Sequence, residues 1–271
     1  MSTMDWSTQG GSGAEHYQDF LVPAMFAPFA ESLVAQAGVG PGSRVLDVAC
    51  GTGVVSRTAA RAAAPGGLVT GVDLGEPTLE IARAHPTDEG AVPIEYLQAD
   101  ATKLPVGDGA FDVALCQQGL QFVPERTSAL KEMRRALTSG GRLAVATWTA
   151  LESNPFAAVA DALERHVGED KGQMLRSPFA LSADDLRAAV EQAGFTDIDL
   201  REETKDCTWA SHPDFARRTI AAGPVAALFA AAPAEAQQAV ADEVAERLAP
   251  NATPDGRLTM PMTTYVVLAR G

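Results

Sequence analysis

Three aspartates and one small-residue turn hold the chemistry that can be read from this chain. Asp47 interrupts the apolar run of Val45, Leu46 and Val48, and the turn Ala49-Cys50-Gly51-Thr52-Gly53 follows at once. Asp73 closes a second apolar run, residues 68–73, and Asp100 closes a third, residues 94–100. Glycine belongs where a backbone must take φ > 0 or lie against a ligand with no Cβ between them. The N–H groups that open the helix-forming stretch VVSRTAARAAA favour a negative ligand group. The carboxylate just ahead of the turn repels a pyrophosphate and suits an ammonium. A ligand end that bears both a carboxylate and an ammonium meets both demands. Asp73 stands about 20 residues beyond the turn, the spacing at which a doubly wound fold offers a carboxylate to ribose hydroxyls. A carboxylate accepts two such hydroxyls as charge-assisted hydrogen bonds.

Other phosphate-binding turns fit less well. The dinucleotide fingerprint wants glycine at its first, third and sixth positions, and reading from Gly51 the sixth is Ser56. A P-loop ends in Gly-Lys-Ser/Thr, and no lysine lies in this turn. The elements that hold the aspartates alternate between strand and helix. Strand, tight turn and helix at residues 44–64 form the first unit of a doubly wound α/β sheet. Residues 111–116 read as a fourth strand, with Gln117 and Gln118 at its carboxyl end, where such folds bind ligands. Residues 124–137 read as a helix with Leu130, Met133 and Leu137 on one face, and SGGRLAVATW as a turn and fifth strand ending at Trp148. Core packing is the favoured role for Trp148, with substrate stacking as its alternative.

At VLDVACGTG the chain resembles the first motif of class I S-adenosylmethionine (SAM)-dependent methyltransferases, especially the UbiE-like (type 11) branch that modifies small molecules. Ala49 stands where that pattern has glycine. The resemblance covers residues 17–148 and weakens beyond them. It implies a Rossmann-like, seven-stranded doubly wound sheet with its last strand antiparallel, plus a helical cap. It implies SAM as cofactor, with Asp47, Ala49, Cys50, Gly51, Gly53 and Gln117 around the methionine end. Asp73 then takes the ribose, Leu74 lies against ribose or adenine, and Asp100 with Ala101 forms the adenine-binding pair. An N-terminal helix in this family often covers the cofactor, which brings Tyr17 or His16 near it. Gln118 and Gln121 point further, towards the acceptor. The loop Leu104-Pro105-Val106 corresponds to a family segment and reads here as a structural return to the sheet.

A SAM methyl is already activated, so transfer to an O, N or C nucleophile is an in-line displacement governed by orientation. A phenol or amine also loses a proton, and histidine is the usual neutral-pH base. His16 and His166 are the preferred catalytic candidates, ahead of His212, with His85 facing solvent; Tyr17 and Asp19 are further candidates. A carbon nucleophile needs no base. Two other classes of function fit the same motifs. One is a SAM-fold enzyme with a non-methylating reaction such as a cyclisation, which product mass distinguishes. The other is a non-catalytic SAM-binding protein, which binds without turnover. A nicotinamide oxidoreductase is disfavoured by Ser56.

The rest of the chain bounds these readings. Its 271 residues, 46% hydrophobic, suffice for one large α/β domain. A net charge of -14 disfavours nucleic acid, whose binding relies on Lys/Arg neutralisation. The 3 cysteines, Cys50, Cys116 and Cys207, have no metal-type spacing and read as reduced cytosolic thiols. No signal pattern or membrane-length apolar run is present, so a cytoplasmic protein is expected; a homo-oligomer is compatible with the sequence. Residues 1–13 read as mobile, and residues 15–37 as an amphipathic segment that packs on the sheet's edge, with a lid over the cofactor pocket as the functional alternative; Pro23 and Pro28 break it into short helices. Residues 154–167 read as a helix, 168–179 as a loop, and Ser182 as the N-cap of a further helix. Two Ala-rich helices, 213–232 and 233–248, precede the closing strand TTYVVLAR, which the resemblance implies pairs antiparallel with residues 198–209. The chain thus reads as one methyltransferase domain, residues 1–271. Its core is about 38–150 with 186–210 and 260–271, and its cap is 14–37, 151–185 and 211–258.

Overall fold

The computed structural model describes residues 11–223 and 225–271. Of the leader expected to be mobile, residues 1–10 lie outside the described residues. The strands are β1 (Arg44–Val48), β2 (Leu68–Asp73), β3 (Ile94–Gln98), β4 (Phe111–Gln117), β5 (Leu137–Trp148), β6 (Thr196–Trp209) and β7 (Leu258–Arg270). They form one seven-stranded sheet in the order β3-β2-β1-β4-β5-β7-β6. The first five are parallel, and β7 runs antiparallel to both β5 and β6. The expected architecture is therefore observed. The chain leaves β1 for β2 on one side and later returns to β4 on the other. That reversal opens a crevice at the carboxyl ends of β1 and β4.

The helices are α1 (Gly11–His16), α2 (Ala27–Gln36), α3 (Val54–Ala62), α4 (Glu76–Ala84), α5 (Arg126–Ala136), α6 (Phe156–His166), α7 (Glu169–Arg176), α8 (Ala183–Gln192), α9 (Phe215–Ala221), α10 (Ala226–Ala230) and α11 (Ala234–Leu248). Successive strand residues face opposite sides of a sheet. Val45, Val113 and Leu115 accordingly pack under Ala30 and Leu33 of α2 and Ala59 and Ala60 of α3. Their neighbours Leu46 and Ala114 pack with Leu130 and Met133 of α5 and Leu186 and Val190 of α8. Both faces of the central strands are buried, which is why β1 and β4 read as nearly continuous apolar runs.

A third cluster lies beyond the sheet's carboxyl edge. It joins Phe20, Phe26 and Phe29 of the N-terminal segment to Phe156, Phe179, Trp209 and Phe215. Trp148 takes its packing role here, edge-on to Phe29 with ring centroids 5.6 Å apart. The N-terminal segment differs from the expected broken helices. Between α1 and α2, residues Tyr17–Phe26 continue as a π-helix that contains Pro23. Proline lacks an N–H and crowds the preceding turn of an α-helix, and a wider winding keeps the chain helical through it. The segment is buried nearly all round rather than on one face, since the sheet and α9 enclose it.

Two expectations in the back half are corrected. Residues 168–179, expected as a loop, contain α7 and a short 3₁₀ turn. Glu169 and Asp170 favour its start, and Arg176 at its end pairs with Glu164 and Asp161 of α6. The helix expected over 213–232 is split into α9 and α10 next to the sequence pair Gly223-Pro224. Ser182 does cap α8: its hydroxyl accepts from the Asp185 backbone N–H at 3.1 Å. Ser182→Ala should lower stability by about 1 kcal/mol. A calorimetric melt of both proteins checks this.

Candidate functional site

The turn after β1 forms the floor of a cavity of about 260 Å³ at the crevice. Ala49, Gly51 and Gly53 all have positive φ, at 56°, 55° and 84°. Gly51 and Gly53 adopt it without cost; Ala49, the alanine in a glycine position, does not. The Gly51 N–H donates to Asp73 Oδ2 at 2.8 Å, and the Gly75 N–H donates to Asp73 Oδ1 at 2.9 Å. One carboxylate thus ties the turn after β1 to the turn after β2. Each oxygen keeps a further lone pair for a ligand hydroxyl.

Asp47 lies beneath and is completely buried. Ser56 Oγ, one turn into α3, donates to its Oδ2 at 2.6 Å, while its Oδ1 has no hydrogen-bond partner. Burial pushes the Asp47 pKa up to about 7; the Ser56 bond works against that, and the Asp73 charge adds to it. Burial also raises Asp73, against the N–H groups of Gly75, Gly51 and Leu74. The Tyr17 hydroxyl is held protonated, first by burial and then by the charges of Asp73 and Asp47. Arg57, the cation that eases Asp47, has its Nη1 donating to the Thr52 carbonyl at 2.7 Å.

At the far wall, Asp100 Oδ1 accepts from both the N–H and the hydroxyl of Thr102 at 2.7 Å, which lowers its pKa. Ala101 follows it, and Leu74, 49% exposed, forms the rim between. On the opposite side, Gln117 Nε2 donates to the Phe26 carbonyl at 3.0 Å and so fastens β4 to the N-terminal segment. Tyr17 and Ala14 close the cavity from above.

Tyr17, Asp47, Ala49, Cys50, Gly51, Asp73, Leu74, Asp100, Ala101 and Gln117 all line this one cavity. Gly53 does not. It precedes α3, and a Cβ there would collide with the Tyr96 hydroxyl, so its role is packing beneath the turn. His16 and His166, expected as base candidates, also lie elsewhere. His16 is exposed on α1, and His166 Nε2 stands 2.7 Å from the Glu243 carboxylate, where α6 meets α11. His212 and His85 bond to the carbonyls of Ala245 and Ile81. Histidine positions in the cap gave no sign of which way the side chains turn, and all four turn away from the cavity.

Sequence reasoning passed over several lining residues. Phe26, Phe122 and Glu125 follow the motifs closely enough to have been found from the sheet topology. Ala222 comes from the inserted helices, where no motif marks it. Among the described residues the lining contains four carboxylates, Asp47, Asp73, Asp100 and Glu125, and no lysine, arginine or histidine. That donor set fits a ligand with net positive charge, hydroxyls and an exocyclic amine. No cluster among the described residues has the makings of a metal site, and none of their helices is long and apolar enough to cross a membrane.

Comparison with known proteins agrees with this geometry. Residues 46–145 match the model of the methyltransferase domain family of type 11. Over this stretch the chain is similar to SAM-dependent methyltransferase domains. It is similar to the ubiquinone/menaquinone biosynthesis C-methyltransferase UbiE of Burkholderia mallei, 44% identical over 112 residues, which make up 41% of this chain and 46% of that protein. An uncharacterised protein of Mycobacterium tuberculosis is 38% identical over 125 residues, 46% of this chain and 44% of its own length. The chain thus matches about half the length of these curated relatives. In fold it resembles phosphoethanolamine N-methyltransferase 2 of Haemonchus contortus, solved with SAM, at a TM-score of 0.63 and 18% identity. The alignment covers 100% of this chain and 60% of that one.

Proposed function

We propose that this protein transfers a methyl group from SAM to an O, N or C nucleophile of a small molecule. One observation carries the reading: among the described residues, a cavity at the sheet's reversal point is lined by four carboxylates and no cationic side chain. SAM supplies a methyl activated by its sulfonium, so the protein's task is to hold and align. The Asp47 carboxylate is placed for the ammonium, with the turn from Ala49 to Gly51 and Gln117 around the same end. Asp73 takes the ribose hydroxyls beside Leu74, and Asp100 with Ala101 takes the adenine edge. The cap, residues 14–37, 151–185 and 211–258, walls the acceptor side; Tyr17, Phe26 and Ala222 in the lining support this. With no histidine in that lining, the acceptor gives up any proton to a carboxylate or to solvent. The acidic lining also argues for a small neutral or cationic acceptor over nucleic acid, and a cytoplasmic setting agrees with three free thiols.

Calorimetric titration with S-adenosylhomocysteine (SAH) tests the reading. Wild type should bind at micromolar level, and Asp73→Ala should bind at least about tenfold more weakly, as loss of a hydrogen bond to a charged group implies. A thermal melt confirms that the variant is folded. Failure of the folded wild type to bind would remove the cofactor and the function with it.

A further inference from the structure

The geometry points to Gln118 as the residue that selects the acceptor, reading an O–H or N–H donor on an otherwise apolar molecule. This rests on the methyltransferase reading above. Along the carboxyl edge of the sheet, the adenine, ribose and methionine anchors fall in order at β3, β2 and β1. The next strand is β4, and the residue just after it is Gln118, which lines the same cavity. Whatever receives the methyl comes from this side.

Gln118 is held in an unusual way. Its φ is 56°, a left-handed conformation that costs a non-glycine residue about 1–2 kcal/mol. Such strain persists where the surroundings over-determine it, often at ligand sites. Here its N–H donates to the Ala146 carbonyl at 2.8 Å, which locks the backbone to β5. Its Nε2 donates to Thr264 Oγ1 at 3.1 Å, and the Thr264 hydroxyl donates to the Thr147 carbonyl at 2.7 Å. The threonine proton is thereby spent, so its oxygen only accepts, and the amide orientation follows: Nε2 faces β7. Oε1 must be the other end, and it has no hydrogen-bond partner although the residue is only 5% exposed.

A carbonyl oxygen buried without a donor is costly, and none of the described residues supplies one. Oε1 accepts and cannot donate. The same cavity has apolar side chains in its lining, Phe26, Phe122 and Ala222 among them, with the exposed Glu125 at its rim. A ligand with an apolar body and one donor hydrogen satisfies both features. An amide is too weak a base to take the proton, so Gln118 orients the donor atom and discriminates against ligands that lack it.

The test uses SAH-saturated protein, labelled with ¹⁵N and titrated by NMR with matched pairs: phenol against anisole, and aniline against N,N-dimethylaniline. In wild type the donor-bearing member should bind about five- to tenfold more tightly, the worth of one hydrogen bond. The ratio should fall to near one in Gln118→Leu, and also in Thr264→Val, which releases the amide without touching Gln118. Gln118→Glu, which keeps an acceptor oxygen, should retain it. Loss of stability alone would not move a ratio between two ligands. A ratio near one in wild type, a ratio that survives in Gln118→Leu, or no shift from either member of a pair would overturn the inference while SAH binding stands. Failure to bind SAH would instead remove the methyltransferase reading, and this inference would fall with it.

Discussion

Asp47→Asn is expected to bind SAH about a hundredfold more weakly than wild type and yet to melt at a higher temperature at pH 8. Both effects come from one buried carboxylate whose Oδ1 has no hydrogen-bond partner among the described residues. Its pKa is about 7 in the folded chain, against about 3.9 when unfolded. Between these values the native state holds a proton that the unfolded state has lost. Stability therefore falls as pH rises from about 4 to 7, and the full penalty remains above that. Asparagine carries no charge at any of these pH values and can still accept from Ser56. The melting temperature of the variant relative to wild type should accordingly rise from pH 5 to pH 8 by several degrees; a difference that does not change with pH would refute the account. Asp73 is raised in the same direction by its own burial, a contribution present in both proteins; its repulsion from Asp47 is lost in the variant, which adds to the expected gain at high pH. Cofactor affinity follows the opposite course. A proton on Asp47 competes with the ligand ammonium, so wild-type affinity should drop by up to about tenfold per unit below pH 7, and the variant should show no such slope. Calorimetry from pH 5.5 to 7.5 reads this directly.

The contrast between Asp47 and the histidines shows what the sequence makes legible here. Strand ends are fixed by apolar runs of buried strands, so Asp47, Asp73, Asp100 and Gln117 were placed at one edge from order and spacing alone. The parallel sheet then brings residues far apart in the chain into one cavity. The cap offers no such rule. Its helices are Ala-rich and their faces depend on which neighbour they meet, so His166 turns to Glu243 and Ala222 enters the lining unannounced. The π-helical winding through Pro23 is likewise a tertiary outcome: burial of six of the seven residues 20–26, all but Pro23 itself, outweighs the local tendency of proline to stop a helix. Gly53 falls outside the cavity lining for a different reason. A positive φ and a close neighbour both demand glycine, and from sequence the neighbour is as easily a ligand as it is Tyr96.

The same ambiguity, at Ala49, leads to a stability test of how the site is assembled. Gly119→Ala is expected to destabilise the protein by about 1–3 kcal/mol, the usual cost of overpacking. The backbone is not the obstacle, since Gly119 has φ -105° and ψ -39°, which alanine adopts freely. The obstacle is Ala49: a Cβ at position 119 would sit 2.5 Å from the Ala49 Cβ and 3.2 Å from Cys116 Sγ. Ala49 itself is strained at φ 56°. Ala49→Gly should relieve about 1 kcal/mol of that strain and lose about 0.5–1 kcal/mol to the freer unfolded chain, leaving it near neutral. In the double variant the methyl at 119 moves into the space that Ala49 has vacated. Most of the loss should then be recovered, a coupling of about 1–2 kcal/mol between residues in direct contact. The Cys116 contact remains, so recovery stops short of wild type. Urea midpoints for the four proteins give the coupling, and simple additivity would show that the two turns are independent. Coupling at this size means that the turn after β1 and the turn after β4 are fitted to each other. A glycine-for-alanine exchange on one side is then matched by what the other side has room for.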